Sequence, residues 1–414
     1  MTRVTLTTIV AFLLVSLSAN GFTQTLPAAE PESVGLSTDR LSRVDALFES
    51  YIADGRMAGV IVAIARKGRL AHFRTLGRMD MAKNQPMMKD AIFRMASMTK
   101  PITSVAVLVL YEEGLFQLED PVSWYIPELG GMQPETMAAE GGEVREMTVR
   151  DLLTHTAGLP TRQDPRHEQV WTDPDLTLKQ MMAEVGKLPL AYAPGTEWRY
   201  SRATNILGYF VEVLSKQPFE VFLEERIFRP LGMIDTRFFV PEKEALRVPA
   251  AYSVNEEGLT EELWPEARPR DLKLPNAPLG SGGLFSTAND YLRFSQMMLN
   301  GGELDGVRLL GPKTVELMIT DHLPAGVDLP VQRGRRYRLG GYGFGLGVRV
   351  RTDLAESQMP GSLGEYGWGG AFGTYFLIDP EEDLVAMFLP QLRGSAFFPI
   401  RRQFNNAVYQ ALEN

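Results

Sequence analysis

The sequence predicts an α/β protein of the α+β type, with an antiparallel sheet flanked by helices and packed against an all-helical lobe. Three observations predict it. Near the N-terminus, residues 59–65 are rich in β-branched side chains, and a Lys67-Gly68 turn leads into a second strand over 69–75, which reads as a hairpin. Near the C-terminus, residues 373–379 and 384–389 flank the turn Pro380-Glu381-Glu382-Asp383, a second hairpin. Between them the chain is mostly helical and loop-rich. The simplest arrangement joins both ends into one sheet and leaves the middle as a separate lobe. The expected bounds are 36–90 and 335–414 for the sheet lobe and 91–334 for the helical lobe, within one unit over 22–414.

Taken in order, residues 1–21 read as a secretory signal: Arg3 gives a positive start, residues 4–17 are mostly apolar, and Ala19-Asn20-Gly21 offers small residues for cleavage. The apolar run is short for a membrane span. The expected mature protein is periplasmic or secreted, with no stable membrane association. Residues 41–52 carry apolar side chains at helical spacing. A helix is expected to open near Ser97, because Pro101 is tolerated only in a first turn, and to stop at Gly114. Residues 148–158 predict a short helix ending at Gly158, with His155 as a capping residue that braces a loop, since no acid partner is suggested for it. Further helices are expected over 204–214 and 220–231, and one running to Leu299 behind the cap at 281–290. A strand is expected over 343–350 and a closing helix over 398–412. Arg333, Arg335, Arg336 and Arg338 read as a solvated basic loop.

Composition narrows the function. The chain has 414 residues, 44% hydrophobic and 22% charged, an ordinary globular balance with ample material for a core. Its formal net charge of -9 argues against nucleic acid and anionic membranes as partners. Without cysteine there are no disulfides, thiolate metal sites or cysteine nucleophiles. The four histidines, His72, His155, His167 and His322, lack zinc-ligand spacing. No metal and no cofactor is implied, and no phosphate loop, dinucleotide fingerprint or Gly-x-Ser-x-Gly elbow occurs.

Three stretches carry chemistry. In Arg94-Met95-Ala96-Ser97-Met98-Thr99-Lys100-Pro101, Ser97 lies at the positive end of a helix and Lys100, three residues on, shares its face. A lysine whose pKa is lowered by burial can take the serine proton. In Pro194-Gly195-Thr196-Glu197-Trp198-Arg199-Tyr200-Ser201-Arg202, Tyr200 by itself reads as a packed aromatic. Beside a lysine ammonium its phenol would have a lowered pKa and could shuttle protons. In Gly364-Glu365-Tyr366-Gly367-Trp368-Gly369-Gly370-Ala371-Phe372-Gly373, the glycines imply close backbone approach, either a bend at a sheet edge or a bare N–H, such as that of Ala371, offered to a substrate oxygen.

Together, Ser97-x-x-Lys100, Tyr200-Ser201 and Trp368-Gly369-Gly370 resemble, in order and spacing, the serine β-lactamase and penicillin-binding protein superfamily. More narrowly, they look like the family VIII carboxylesterases, which share the class C β-lactamase fold. The likeness runs from about Leu36 to the C-terminus. It implies a β-lactamase/transpeptidase-like fold with the site in the crevice between sheet and helical lobe. It also implies Ser97 as acylated nucleophile, Lys100 and Tyr200 as shared acid and base, and the N–H groups of Ser97 and Ala371 as an oxyanion hole. Two departures stand out. Trp368 occupies the place of the lysine that begins the superfamily's third motif, which weakens recognition of anionic lactams and suits neutral esters. Tyr200-Ser201-Arg202 replaces a usual Tyr-x-Asn, with Arg202 restoring some affinity for an anion. The expected activity is a serine carboxylesterase acting on small to medium acyl esters, with a small-molecule ester as its partner. A β-lactamase or D-alanyl-D-alanine peptidase-like hydrolase, an acyltransferase and a non-catalytic binding module are the alternatives.

Overall fold

A computed structural model describes residues 25–135, 144–255, 258–264, 267–329, 340–395 and 398–413. The expected export signal and the basic stretch at 333–338 lie outside the described residues. In chain order the strands are β1 (Gly59–Arg66), β2 (Arg69–Asp80), β3 (Gln85–Pro86), β4 (Phe93–Arg94), β5 (Ala251–Asn255), β6 (Gly258–Trp264), β7 (Phe285–Ser286), β8 (Glu303–Leu304), β9 (Val307–Arg308), β10 (Tyr342–Phe344), β11 (Arg349–Arg351), β12 (Tyr366–Gly369), β13 (Tyr375–Asp379), β14 (Leu384–Leu389) and β15 (Leu392–Arg393). The helices that matter for the site are α1 (Thr38–Ala53), α2 (Thr99–Glu112), α3 (Val149–Thr154), α4 (Pro165–Thr172), α5 (Ala203–Ser215), α6 (Ala288–Leu299) and α7 (Ile400–Tyr409).

The two ends of the chain share one antiparallel sheet, in the order β10-β11-β12-β13-β14-β1-β2-β3. Its central seam pairs β1 with β14, Ile61 opposite Leu389 and Ala65 opposite Val385. Lys67 and Gly68 both take positive φ, 53° and 72°, the geometry that matches strand twist in a two-residue hairpin. All eight residues of β1 are buried. Val60, Val62 and Ile64 pack on Leu41, Val44 and Phe48 of α1 and Phe404 and Val408 of α7. Ile61, Ala63 and Ala65 face the larger core that contains α2 and α6. A sheet covered on both faces explains the unbroken apolar run, which alternation would have interrupted.

Three expectations are corrected in detail. The middle of the chain is helix-rich but not purely helical. It carries β4 paired with β7, β8 with β9, and β5 with β6, the last pair joined by β15 from the C-terminal stretch. Helix α6, from the same stretch, packs on the sheet, with Tyr291 and Phe376 ring centroids 5.1 Å apart. Residues 343–350 are not one strand but the hairpin β10–β11, because Gly347 at φ 95° turns the chain, and any Cβ there would overlap Ser104 on α2. The helix expected to end at Gly158 ends at Thr154, where His155 takes the left-handed conformation at φ 61° and the Thr156 N–H returns to the Asp151 carbonyl.

Candidate active site

Ser97 is delivered by a backbone with two anchors. β4 pairs with β7, and the Met95 N–H donates to the Leu284 carbonyl at 2.9 Å. Ala96 then takes φ 47°, and one tight turn places half-buried Ser97 at the N-terminal end of α2. Pro101 sits within the first turn of α2, as its missing N–H requires. Lys100, 3% exposed, lies beneath it, its Nζ 3.2 Å from Ser97 Oγ.

The same amine donates to the Ser281 carbonyl at 2.6 Å. That carbonyl is held because residues 280–284 are stitched along α2. Thr103 Oγ1 donates to Gly280 O at 2.9 Å, Thr99 Oγ1 accepts from the Leu284 N–H at 3.1 Å, and Asn205 Oδ1 of α5 accepts from the Ser281 N–H at 2.9 Å. Burial, reinforced by the charges of Arg202 and Arg162, holds Lys100 well below the ordinary lysine pKa. The group beside Ser97 is therefore an amine that gives up its proton far more readily than a surface lysine.

Tyr200 arrives on a loop suspended from the end of α3. The His155 carbonyl accepts both the Arg199 N–H and the Tyr192 hydroxyl, each at 3.1 Å, and the Gly195 N–H donates to Thr156 O at 2.8 Å. The imidazole of His155 is 1% exposed, packs with its centroid 4.8 Å from that of Tyr200, and is held well below the usual histidine pKa, chiefly by burial. It is a neutral brace, the role expected for it. The Tyr200 phenol lies beside Ser97, its ring centroid is 4.6 Å from Lys100 Nζ, and Trp368 Nε1–H donates to its oxygen at 3.4 Å. Its pKa is raised rather than lowered. Burial outweighs the opposing influence of Ser97 and Trp368, and the expected help from a lysine ammonium is missing because Lys100 is itself depressed.

The glycine-rich stretch closes the site from the sheet. The Gly370 N–H donates to Thr374 O at 2.8 Å and the Gly373 N–H to Gly370 O at 3.1 Å, which forms a turn at the end of β12. A Cβ at Gly370 would overlap Thr374 Oγ1 and crowd the Met95 carbonyl at 2.5 Å, so the turn lies directly against the segment that leads to Ser97. The N–H groups of Ser97 and Ala371 have no hydrogen-bond partner among the described residues. Ala371 is exposed, beside Gly369 and Gly370. Trp368 walls the site with Phe344, 5.3 Å away, and with Tyr200, 5.5 Å away, and Trp198 completes the aromatic lining.

Arg202 is not a free cation. Its guanidinium holds Glu168 of α4 at 2.6 Å, and its other nitrogen lies 3.5 Å from Ser281 Oγ. Sequence reasoning missed Glu168, Asn205 and the Ser281 carbonyl. Asn205 carried one usable signal, a polar side chain near the start of the largely apolar helix α5. Glu168 carried none, since it meets Arg202 only through the fold. Among the described residues, no three His, Asp or Glu side chains gather as a metal site.

Residues 44–410 match the beta-lactamase family model. The chain belongs to the beta-lactamase family. Proteins similar to it include protein Rv1367c of Mycobacterium tuberculosis, 34% identical over 358 residues, which are 81% of this chain and 86% of that one. Esterase EstB of Burkholderia gladioli is 30% identical over 411 residues, 93% of this chain and 99% of that one. Among solved structures, EstCE1, a hydrolase with promiscuous acyltransferase activity, matches with a TM-score of 0.76 at 26% identity, over 90% of this chain and 99% of the other. Simvastatin synthase LovD from Aspergillus terreus shares the fold, with a TM-score of 0.73 at 23% identity over 90% and 98% of the two chains. This is a serine hydrolase family of β-lactamase fold in which esterases occur, as the resemblance implied.

Proposed function

We propose that this protein is a serine carboxylesterase that hydrolyses small to medium acyl esters through an acyl-enzyme on Ser97. The observation that carries the reading is the buried amine of Lys100, its pKa lowered by desolvation, at 3.2 Å from the Ser97 hydroxyl, in a site walled by Trp368 where the superfamily carries a lysine. Lys100 takes the proton of Ser97 as its oxygen attacks the ester carbonyl. The directions of the two pKa shifts favour this assignment, since Tyr200 stays a neutral phenol. The N–H groups of Ser97 and Ala371 donate to the oxyanion, and their lack of other partners leaves them available for it. As the intermediate collapses, the Tyr200 hydroxyl protonates the departing alcohol and recovers its proton from Lys100. A water then gives its proton to Lys100 and attacks the acyl carbon. Collapse of that intermediate frees the carboxylic acid and returns a proton to Ser97. Because the base and the acid exchange one proton, they titrate as a pair.

The test offers purified protein p-nitrophenyl butyrate and nitrocefin side by side. Ester turnover is expected to dominate and to vanish in Ser97→Ala, which also loses labelling by a fluorophosphonate. Faster turnover of the lactam would replace the esterase reading with a β-lactamase, and an intact burst in Ser97→Ala would remove the nucleophile. The similarity to EstCE1 supports acyl transfer to an alcohol as a second reading. It is tested by adding alcohol and measuring ester exchange against acid release. The apolar leader at 1–21 supports export, which N-terminal sequencing of protein recovered outside the cytoplasm tests.

A further inference from the structure

Glu168 carries two guanidinium groups. Arg202 holds one oxygen at 2.6 Å and the other at 3.3 Å, and Arg162 reaches the first oxygen at 3.4 Å. One carboxylate faces two cations, so among the described residues this group of three keeps one unmatched positive charge. The neighbouring Arg166 does not share it, because it is occupied by Asp164 at 3.1 Å and Glu135 at 3.3 Å. The two arginines differ in access. Arg202 is mostly buried, with its far nitrogen against Ser281, the residue whose carbonyl holds Lys100. Arg162 is about half exposed, with a side-chain accessibility of 53%. The run of contacts from Arg162 through Glu168 and Arg202 to Ser281, whose carbonyl holds Lys100, places the group at the rim of the reacting centre and not on a remote surface.

We propose that Arg162, backed by the Arg202–Glu168 pair, is a specificity-determining contact that favours esters carrying a carboxylate at the end away from the scissile bond. The proposal rests on the esterase reading and adds a substrate class to it: a monoester of a dicarboxylic acid, or an ester whose alcohol carries a carboxylate. The aromatic wall formed by Trp368, Phe344 and Trp198 accepts the apolar part of such a molecule. The guanidinium rim accepts its charged end, with the planar fork geometry that suits a carboxylate. Glu168 tempers the attraction by holding both arginines, so its removal is expected to strengthen the preference.

The experiment compares p-nitrophenyl butyrate with the mono-p-nitrophenyl ester of adipic acid, and phenyl acetate with 4-acetoxybenzoate, on wild type, Arg162→Gln, Arg162→Lys and Glu168→Gln. The ratio of kcat/KM for anionic over neutral ester is expected to fall about fivefold to tenfold in Arg162→Gln, mostly through KM. It should be largely kept in Arg162→Lys, rise in Glu168→Gln, and shrink for wild type as salt is raised. Ester turnover with the same ratio in wild type and Arg162→Gln overturns the proposal and leaves the esterase reading standing. If no ester is turned over, calorimetric titration with N-propyl adipamic acid and with neutral N-propylbutanamide still decides. Tighter binding of the anionic amide, lost in Arg162→Gln, upholds the rim, and equal binding of the two amides removes it.

Discussion

Lys100 Nζ lies 2.6 Å from the carbonyl oxygen of Ser281 and 3.2 Å from the hydroxyl of Ser97. A carbonyl can only accept, so it engages one N–H of the amine and leaves the nitrogen lone pair for the serine proton. Ser281 is in turn fixed through its N–H by Asn205. Asn205→Ala should release the carbonyl and lower kcat by roughly 10- to 100-fold with KM nearly unchanged, because a displacement of about 1 Å in a reacting group costs on that order. In Asn205→Asp the acceptor is kept but a carboxylate is added near Lys100, which raises the pKa of the lysine and moves the acid limb of the pH–rate profile to higher pH. Steady-state kinetics across pH on both variants checks this. A KM effect without a kcat effect would mean that Asn205 serves binding.

Lys100 also ties activity to pH and to stability. Its proton leaves at a pH well below the 10.5 of a free lysine, so kcat/KM should rise with pH through that lowered value. Tyr200, shifted upward, should impose no alkaline decline until above its ordinary value of 10.0. For stability the sign is opposite to that of a paired acid. Above 10.5 the amine is neutral in both folded and unfolded chains and costs nothing. As pH falls the unfolded chain gains a proton that the folded one refuses, so a destabilising contribution grows until pH passes below the folded value. Lys100→Met should abolish turnover and stabilise the protein at pH 7 by about 1 to 2 kcal/mol, with the gain vanishing above 10.5. Urea unfolding at several pH values measures it.

Trp368 supplies both a wall and an N–H to the Tyr200 oxygen. Trp368→Lys should lower turnover of p-nitrophenyl butyrate and raise the nitrocefin-to-butyrate ratio by about tenfold, as an apolar surface is exchanged for a cation that attracts the lactam carboxylate. An unchanged ratio would show that position 368 does not select between the two substrates.

Gly370 has no room for a side chain between Thr374 and the Met95 carbonyl. Gly370→Ala should push the turn away from the Ser97 segment and draw the Ala371 N–H out of reach of the oxyanion. The expected loss is on the order of 100-fold in kcat with a small change in KM, the size found when one oxyanion donor is removed. Thermal unfolding on the same sample separates this from a general loss of fold.

Local signals made much of this legible in the sequence. Pro101 marked the start of α2, Lys67-Gly68 marked the first hairpin, and the two hairpins at opposite ends were enough to infer a shared sheet. The hairpin within 343–350 was missed because its turn depends on Gly347 meeting Ser104, a contact that exists only once α2 is in place. The sign of the Tyr200 shift was missed for a related reason. A neighbouring lysine was visible in the sequence, but the burial that depresses that lysine and raises the phenol comes from the closing of the site. Likewise Arg202 looked available until α4 brought Glu168 to it.

The seam between β1 and β14 has a consequence for biogenesis. Synthesis reaches the Ser97 segment well before the strand that completes the sheet beside β1. Until that strand follows, a nascent chain carries its serine with no completed sheet to hold the Ala371 amide opposite it. Fragments ending before Leu384 keep β2 beside β1 but lack β14, the strand that joins the two ends of the chain into one sheet.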